Sequence, residues 1–336
     1  MELLAQLMGA YGVSGNEEHV RDIIKKEIMP YVDKTYVDKA GNLVCIRKGK
    51  PPKVMLAAHM DEIGLMVKNV DERGHIFFSN VGQIEPISLL GQMVKIHTEK
   101  GQLYGVITMK KVSNGESVNE IPAMKDMYID TGLNGKQLTA KGLEIGDYLN
   151  IIQEMQCLGS NKIICGKGLD DRIGCYTLIE LAKKLKKTKN ELYFVFTVQE
   201  EMGLYGAKTS AYEISPDWAI AIDVMPASDS DGEPSVGPGR GPILTMKDAG
   251  MISSKPLNKH IVSVSKSKKI PLQFDVTEFG TTDALNISLS RSGVPVTAMG
   301  VSVRNIHSAI GIANADDINN LIKLLEALLK NPPVIK

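Results

Sequence analysis

One stretch constrains this chain more than any other: Tyr193-Phe-Val-Phe-Thr-Val-Gln-Glu-Glu-Met-Gly-Leu-Tyr-Gly-Ala207, an apolar run that stops at two adjacent carboxylates. Leu192 to Val198 is an almost unbroken β-branched and aromatic series, which predicts a strand covered on both faces. Gln199, Glu200 and Glu201 follow at its carboxyl end, and Gly203 and Gly206 interrupt the pattern. In open α/β sheets, ligands bind at that edge. Neighbouring residues of a strand point to opposite faces. The two glutamates can therefore share a site only where the chain is already turning, and the glycines are expected to supply the turn.

The same design recurs along the chain. Lys53 to Ala58 predicts a short buried strand that leads to His59, Asp61 and Glu62, with Gly64 beyond. Trp218 to Ile222 predicts another, ending in Asp223, and Pro295 to Val301 a third, leading to Arg304 and His307. Leu272 to Val276 predicts a further strand, followed by Gly280-Thr-Thr-Asp283. Asp170 stands at the start of a helix that carries Leu178, Leu181, Ala182 and Leu185 on one face.

Other elements are legible around these. Ser14-Gly-Asn-Glu17 predicts a capping box for a helix with Val20, Ile23, Ile24 and Ile28 on its apolar stripe, ended by Pro30. Tyr36–Val37 and Leu43–Ile46 predict a hairpin. The last helix begins at Asp316 or Asp317 and buries Ile318, Leu321, Ile322, Leu325, Leu328 and Leu329. Between them, from about Leu65 to Asn161, short alternating runs separated by Gly, Asn and charged turns predict an all-β insertion, a small barrel or sandwich. Residues 226–242, rich in Gly, Pro, Ser and Asp, predict a loop lining a site; the glycines there are weak evidence for phosphate binding.

Composition narrows the chemistry. Thirty-nine basic and 39 acidic residues balance, so nothing points to nucleic acid or an anionic membrane. There is no apolar run of membrane-spanning length and no basic leader before an apolar core, and the four cysteines form no C-x-x-C pair. A cytoplasmic location with reduced thiols is expected. Each of the strand-end residues has an ordinary structural explanation when taken singly, as a helix cap, a turn former or a hydrogen-bonded histidine. Jointly they do not, because so many carboxylates and imidazoles would be costly to desolvate without a cation. Two histidines and several carboxylates suit Zn²⁺, Co²⁺ or Mn²⁺ with open positions, and five ligands suffice for two ions ~3.5–4 Å apart if one carboxylate bridges.

Ala57-Ala-His59-Met-Asp61-Glu-Ile-Gly64, Gly168-Leu-Asp170-Asp171-Arg172, Val198-Gln-Glu200-Glu201-Met-Gly203, Ile222-Asp223-Val224 and Arg304-Asn-Ile-His307-Ser308 together resemble the glutamyl aminopeptidase family, the tetrahedral (TET) co-catalytic metallo-aminopeptidases. The resemblance covers essentially the whole chain. It implies an α/β fold: a three-layer α/β/α catalytic domain with a central mixed sheet over residues 1–64 and 162–336, and an inserted barrel-like dimerisation domain over 65–161. It implies two divalent ions, zinc or cobalt with manganese possible, with Asp170 bridging. His59 and Asp223 complete one position, and Glu201 and His307 the other. Glu200 is then the general base acting on a metal-bridging water, and Asp61 the acid that orients His59. The implied reaction removes the N-terminal residue from short or unfolded peptides with a free N-terminus, inside a dodecamer built from dimers. Two positions depart from the family, which often has proline where Ser302 stands and a double glycine where Gly280-Thr281 stands.

Two other readings compete. A glycoside hydrolase would use Glu200 and Glu201 as paired acids, across a sugar that needs its carboxylates ~5–9.5 Å apart. It leaves His59, Asp223 and His307 idle, and the chain has a single tryptophan for stacking sugar rings. A non-enzymatic, metal-stabilised peptide-binding scaffold would prefer a closed four-ligand site. The preferred N-terminal residue is not legible; the pocket for it is expected from the 226–242 loop, the Gly280 region and the residues after His307.

Overall fold

The computed structural model describes residues 1–185, 188–229, 236–333 and 335. Its framework is an eight-stranded mixed sheet. In spatial order the strands are Lys34–Val37, Leu43–Arg47, Asn190–Thr197, Lys50–His59, Trp218–Pro226, Val296–Val303, Ile243–Lys247 and Gln273–Val276. The four central strands run parallel, so their carboxyl ends open along one edge. Thr197 pairs with His59 and Asp223 with Gly300, while Ala57 pairs with Ala221 two residues earlier. Thr197, His59, Asp223 and Gly300 thus lie on one row across the sheet.

The period-two alternation of these strands sorts two cores. Leu56, Ala58, Phe194, Phe196 and Ile220 pack under helices Glu2–Gly9, Glu18–Ile28, Leu169–Lys184, Lys255–Lys268 and Ala315–Lys330. Met55, Ala57, Val195, Ala219 and Ala221 meet Tyr205–Ile214 and Ala284–Ser288 on the other face. Burial on both sides is why these strands read as continuous apolar runs. The result is three layers, α/β/α.

Residues after Asp61 leave this sheet. Gly64–Val70, Ile76–Val81, Met127–Asp130, Gly101–Met109, Met93–Thr98 and Tyr148–Ile151 close, in that order and with antiparallel neighbours, into a barrel. Leu65, Val67, Ile76, Val94, Ile96, Ile107, Ile129 and Leu149 fill its interior. Of the two architectures anticipated, the closed barrel is the one formed. It also carries short helices, Lys110–Ser113 and Gly135–Ala140, the latter started by an Asn134–Gln137 capping box. A separate three-stranded sheet, Gln156–Cys157, Ile163–Gly166 and Gly311–Asn314, ties the exit from the barrel to the start of the last helix.

Three local expectations are corrected. Ser14 and Glu17 do not cap the Glu18–Ile28 helix, which has no side-chain cap; both reach instead to the edge of the large sheet. The turn after Thr197 is not made by glycines alone: Gln199 and Leu204 are themselves left-handed, at φ 52° and 58°. Gly206 serves close packing, since a Cβ there would meet Val198 backbone and the Asn42 side chain at 2.3–2.5 Å. Finally, the Trp218 strand does not end at Asp223 but runs on to Pro226. Gly300 faces it because a Cβ at that position would lie 1.5 Å from the Asp223 carbonyl oxygen.

Candidate metal centre

Each central strand delivers at least one side chain to the open edge. His59 closes the Lys50–His59 strand, Glu200 and Glu201 follow Asn190–Thr197, Asp223 lies near the end of Trp218–Pro226, and His307 follows Val296–Val303. Asp170 enters from the first turn of Leu169–Lys184. There Asp170 and Asp171 have non-helical backbones (φ −82°, ψ 109° and φ −119°, ψ 48°), which frees their side chains from the helix surface. His307 adopts a left-handed backbone, φ 57°, that bends the chain after the strand.

These residues form two adjoining triads. His59, Asp170 and Asp223 bring one donor atom each within 4.8 Å of one another, and Asp170, Glu201 and His307 do the same. Asp170 belongs to both and divides its oxygens between them. Its Oδ1 is 2.9 Å from His59 Nε2, and its Oδ2 is 3.4 Å from His307 Nε2. Asp223 Oδ1 lies 3.7 Å from His59 Nε2, and Glu201 Oε2 lies 3.6 Å from His307 Nε2.

Asp61, completely buried, sits behind this pair of triads. Its Oδ1 is 3.4 Å from His59 Nδ1, and its carboxylate accepts the backbone N–H groups of Glu200 and Glu201 and the Ser14 hydroxyl. Glu200 joins neither triad but lies within Coulombic reach of His59, Asp223, Asp283 and Glu201. The remaining histidines are used in packing. His19 stacks on the Tyr11 ring and His97 packs tilted against the same ring, His75 pairs with Asp71, and His260 contacts the Asn331 carbonyl.

Electrostatics show what this crowding costs. Burial, then the charges of Asp223, Asp283 and Glu201, push the Glu200 carboxyl well above the usual range, although His59 opposes them. Burial and Asp170 bring Glu201 to about 8, and burial brings Asp283 to about 7. The Asp170 hydrogen bond raises His307 to about 9, while Asp170 itself is held low by His307 and His59 against its burial. Buried oxygens on Glu201 and Asp283 have no hydrogen-bond partner. Carboxylates held this way are stabilised by a bound cation. The donor set, imidazole nitrogen and carboxylate oxygen with no thiolate, fits divalent transition metals.

The model of the M42 glutamyl aminopeptidases matches residues 41–324, spanning the triads and the barrel. The chain belongs to the M42 glutamyl aminopeptidase family. It is therefore an aminopeptidase, a peptide hydrolase, and membership in this family implies divalent metals. A putative aminopeptidase of Acetivibrio thermocellus is 40% identical over 326 residues, 96% of each chain. The lysyl aminopeptidase of Pyrococcus furiosus is 33% identical, covering 98% of this chain and 96% of its own. Among solved structures, the Pyrococcus horikoshii TET1 peptidase, described as assembling into a tetrahedron or a large octahedral shell, superposes with a TM-score of 0.89 at 32% identity over 98% of this chain and 99% of that one. Among the described residues no helix is long and apolar enough to cross a membrane.

Sequence reasoning did not single out every residue that shapes this M42 site. Asp283, buried, accepts the Thr197 hydroxyl at 2.5 Å and adds a carboxylate near Glu200. Glu62 is clasped by Lys167 at 2.6 Å and lies 3.5 Å from Arg172, tying the segment after His59 to both sides of the Asp170 turn. The sequence signal for Asp283 and Glu62 was their position shortly after a strand, which did not distinguish them from the other polar residues there. The glycine-rich loop is fixed by Asp317, which accepts Gly239 and Gly241 N–H at 2.6 and 2.7 Å. That gives its glycines a packing role in place of phosphate binding. Residues 230–235 of the loop, assigned to the specificity pocket, lie outside the described residues.

Proposed function

We propose that this aminopeptidase is a dinuclear-metal enzyme that hydrolyses the N-terminal residue from short or unfolded peptides. His59, Asp170 and Asp223 would hold one ion, and Asp170, Glu201 and His307 the other. The carrying observation is the division of the two Asp170 oxygens between His59 and His307. Two divalent ions bound there supply a water of lowered pKa and a polarised scissile carbonyl. Zinc or cobalt suits these donors, with manganese possible.

The chain's own residues do the rest. Glu200, free of both triads, takes the proton of the attacking water and returns one to the leaving amine. Burial raises the Glu200 carboxyl above its ordinary range, which makes it a stronger proton acceptor than an exposed glutamate. Asp61, facing His59 Nδ1, holds the imidazole so that Nε2 is turned toward Asp170 and Asp223. The free N-terminus of the peptide fits the open face of the centre, which explains removal of one residue at a time. Residues 1–64 and 162–336 act as the catalytic domain. The insertion 65–161 serves as a dimerisation domain within a homododecamer built from dimers, and the enzyme works in the cytoplasm.

A glycoside hydrolase pairing Glu200 with Glu201 is disfavoured, because Glu201 faces His307 and Asp170. The test is amino-acid p-nitroanilide hydrolysis alongside metal analysis. We expect two ions per chain and activity that vanishes with a chelator and returns with Zn²⁺ or Co²⁺. Activity that survives complete metal removal, or a single ion in the fully active enzyme, refutes the reading.

A further inference from the structure

The amides that present Glu200 and Glu201 are held by side chains, one after another. Val198 N–H donates to Asn42 Oδ1 at 3.0 Å, and Gln199 N–H to Glu17 Oε1 at 3.1 Å. Glu200 and Glu201 N–H donate to the two oxygens of Asp61 at 3.1 and 3.2 Å. These four consecutive groups lie just past the sheet and at the first turn of a helix, where backbone donors have no main-chain partner of their own. Gln199 among them has a left-handed backbone, sparsely populated for a residue with a Cβ, and such conformations persist only where the surroundings impose them.

Glu17 is the contact that fixes the left-handed residue. It is 5% exposed, comes from the segment between the first two helices, and its Oε1 accepts Gly15 N–H at 2.7 Å as well as Gln199 N–H. It caps no helix, and no cation is paired with it in the structure's described ion pairs. Three residues earlier Ser14 donates to Asp61, so the same short segment braces both acceptors of the turn. We propose that Glu17 is a positioning residue for catalysis, which acts through the Gln199 amide to aim the Glu200 carboxylate. This rests on the role of Glu200 given above. Nothing in the family match or in the relatives' names assigns Glu17 a function.

The test compares Glu17→Ala, Glu17→Gln and Glu17→Asp in the full-length, metal-loaded enzyme, with rates expressed per folded, metal-replete chain. Glu17→Ala is expected to lower kcat roughly 10- to 100-fold, the range for a small misplacement of a reacting group, with KM within about twofold. Glu17→Gln keeps an acceptor oxygen at the same reach and is expected to recover most of that loss. Glu17→Asp keeps the charge but withdraws the oxygen by one methylene, and is expected to side with Glu17→Ala. A purely structural Glu17 would lower the melting temperature and leave kcat per folded chain unchanged, and that result overturns the proposal.

Hydrogen exchange of the peptide containing residues 198–203, in metal-free protein, gives a readout independent of activity. It is expected to quicken in Glu17→Ala and Glu17→Asp relative to the parent. Unchanged exchange overturns the assignment even if activity falls. A parent enzyme with no peptidase activity but this exchange pattern would defeat the reading of Glu200 as base while leaving the clamp itself intact.

Discussion

Asp61 Oδ1 lies 3.4 Å from His59 Nδ1, on the opposite side of the imidazole from the Asp170 oxygen that Nε2 meets at 2.9 Å. The ring is thereby held between two carboxylates, and its orientation depends on both. Replacing Asp61 by Asn removes the charge behind the ring and keeps an acceptor for only one of the Glu200 and Glu201 amides. The expected loss is about 10- to 100-fold in metal affinity or activity. Titration of the metal-free variant with Zn²⁺, followed by calorimetry, checks it; affinity equal to that of the parent would remove Asp61 from this role.

Glu200→Gln separates holding metal from moving protons. Since Glu200 is outside both triads, the variant is expected to bind two ions and to lose at least ~10² in kcat. Metal content by mass spectrometry and steady-state rates are the paired measurements. Near-parental turnover in the loaded variant would end the general-base assignment.

The shared carboxylate makes an asymmetric prediction. His307→Ala touches one triad, and we expect it to weaken one ion while the His59 side stays loaded. Asp170→Ala touches both and is expected to release both. Metal stoichiometry after dialysis at fixed free Zn²⁺ distinguishes them, and equal losses in the two variants would contradict the division of Asp170 between two positions.

Glu17 also predicts a pH dependence of stability. Burial, with Asp61 adding to it, raises its carboxyl from the usual 4.5 to about 7, despite the amide hydrogen bonds that oppose the shift. The folded state therefore binds this proton more tightly than the unfolded chain does. The contribution is fully present below pH 4.5 and is lost as pH rises toward 7, a change of about 3 kcal/mol at ~1.4 kcal/mol per pH unit. In Glu17→Gln that slope disappears, so the stability difference between variant and parent is expected to shift by about that amount across the window. Urea midpoints of the metal-free proteins at several pH values measure it; parallel curves would be the contrary outcome.

Gly300 offers a test of the sheet edge. A methyl group there would have to occupy space 1.5 Å from the Asp223 carbonyl oxygen, so backbone must move. Gly300→Ala is expected to cost about 1–3 kcal/mol or more, as overpacking does, and to weaken metal binding through Asp223. Thermal unfolding with and without Zn²⁺ reports both.

The strand-end residues were legible because the signal for each is local. Five or six contiguous apolar residues announce a buried parallel strand, and the polar residue at or near its carboxyl end is placed at the open edge. Neither property needs knowledge of a partner. Ser14 and Glu17 show where this fails. Their spacing is that of a helix cap, and whether such side chains turn to their own helix or to an amide 182 residues away is decided only by tertiary packing. The left-handed Gln199 was hidden for the same reason: nothing in a glutamine announces positive φ, and the nearby glycines drew the turn to themselves. Ile243–Lys247, which runs antiparallel to Val296–Val303, follows a Gly- and Pro-rich stretch and is only five residues long, too short to declare a period.

His59 and Asp170 touch although they stand 111 positions apart in the chain, almost all of that stretch spent on the barrel and its exit. Closing a loop that long is entropically slow unless the intervening chain has already condensed. The barrel is the means of condensing it, and His307 must be synthesised before the second triad exists at all. The second triad is thus the last part of the centre to be completed. During refolding, uptake of the second ion should therefore lag behind the barrel's own signals and await the Val296–Val303 strand and the turn that carries His307.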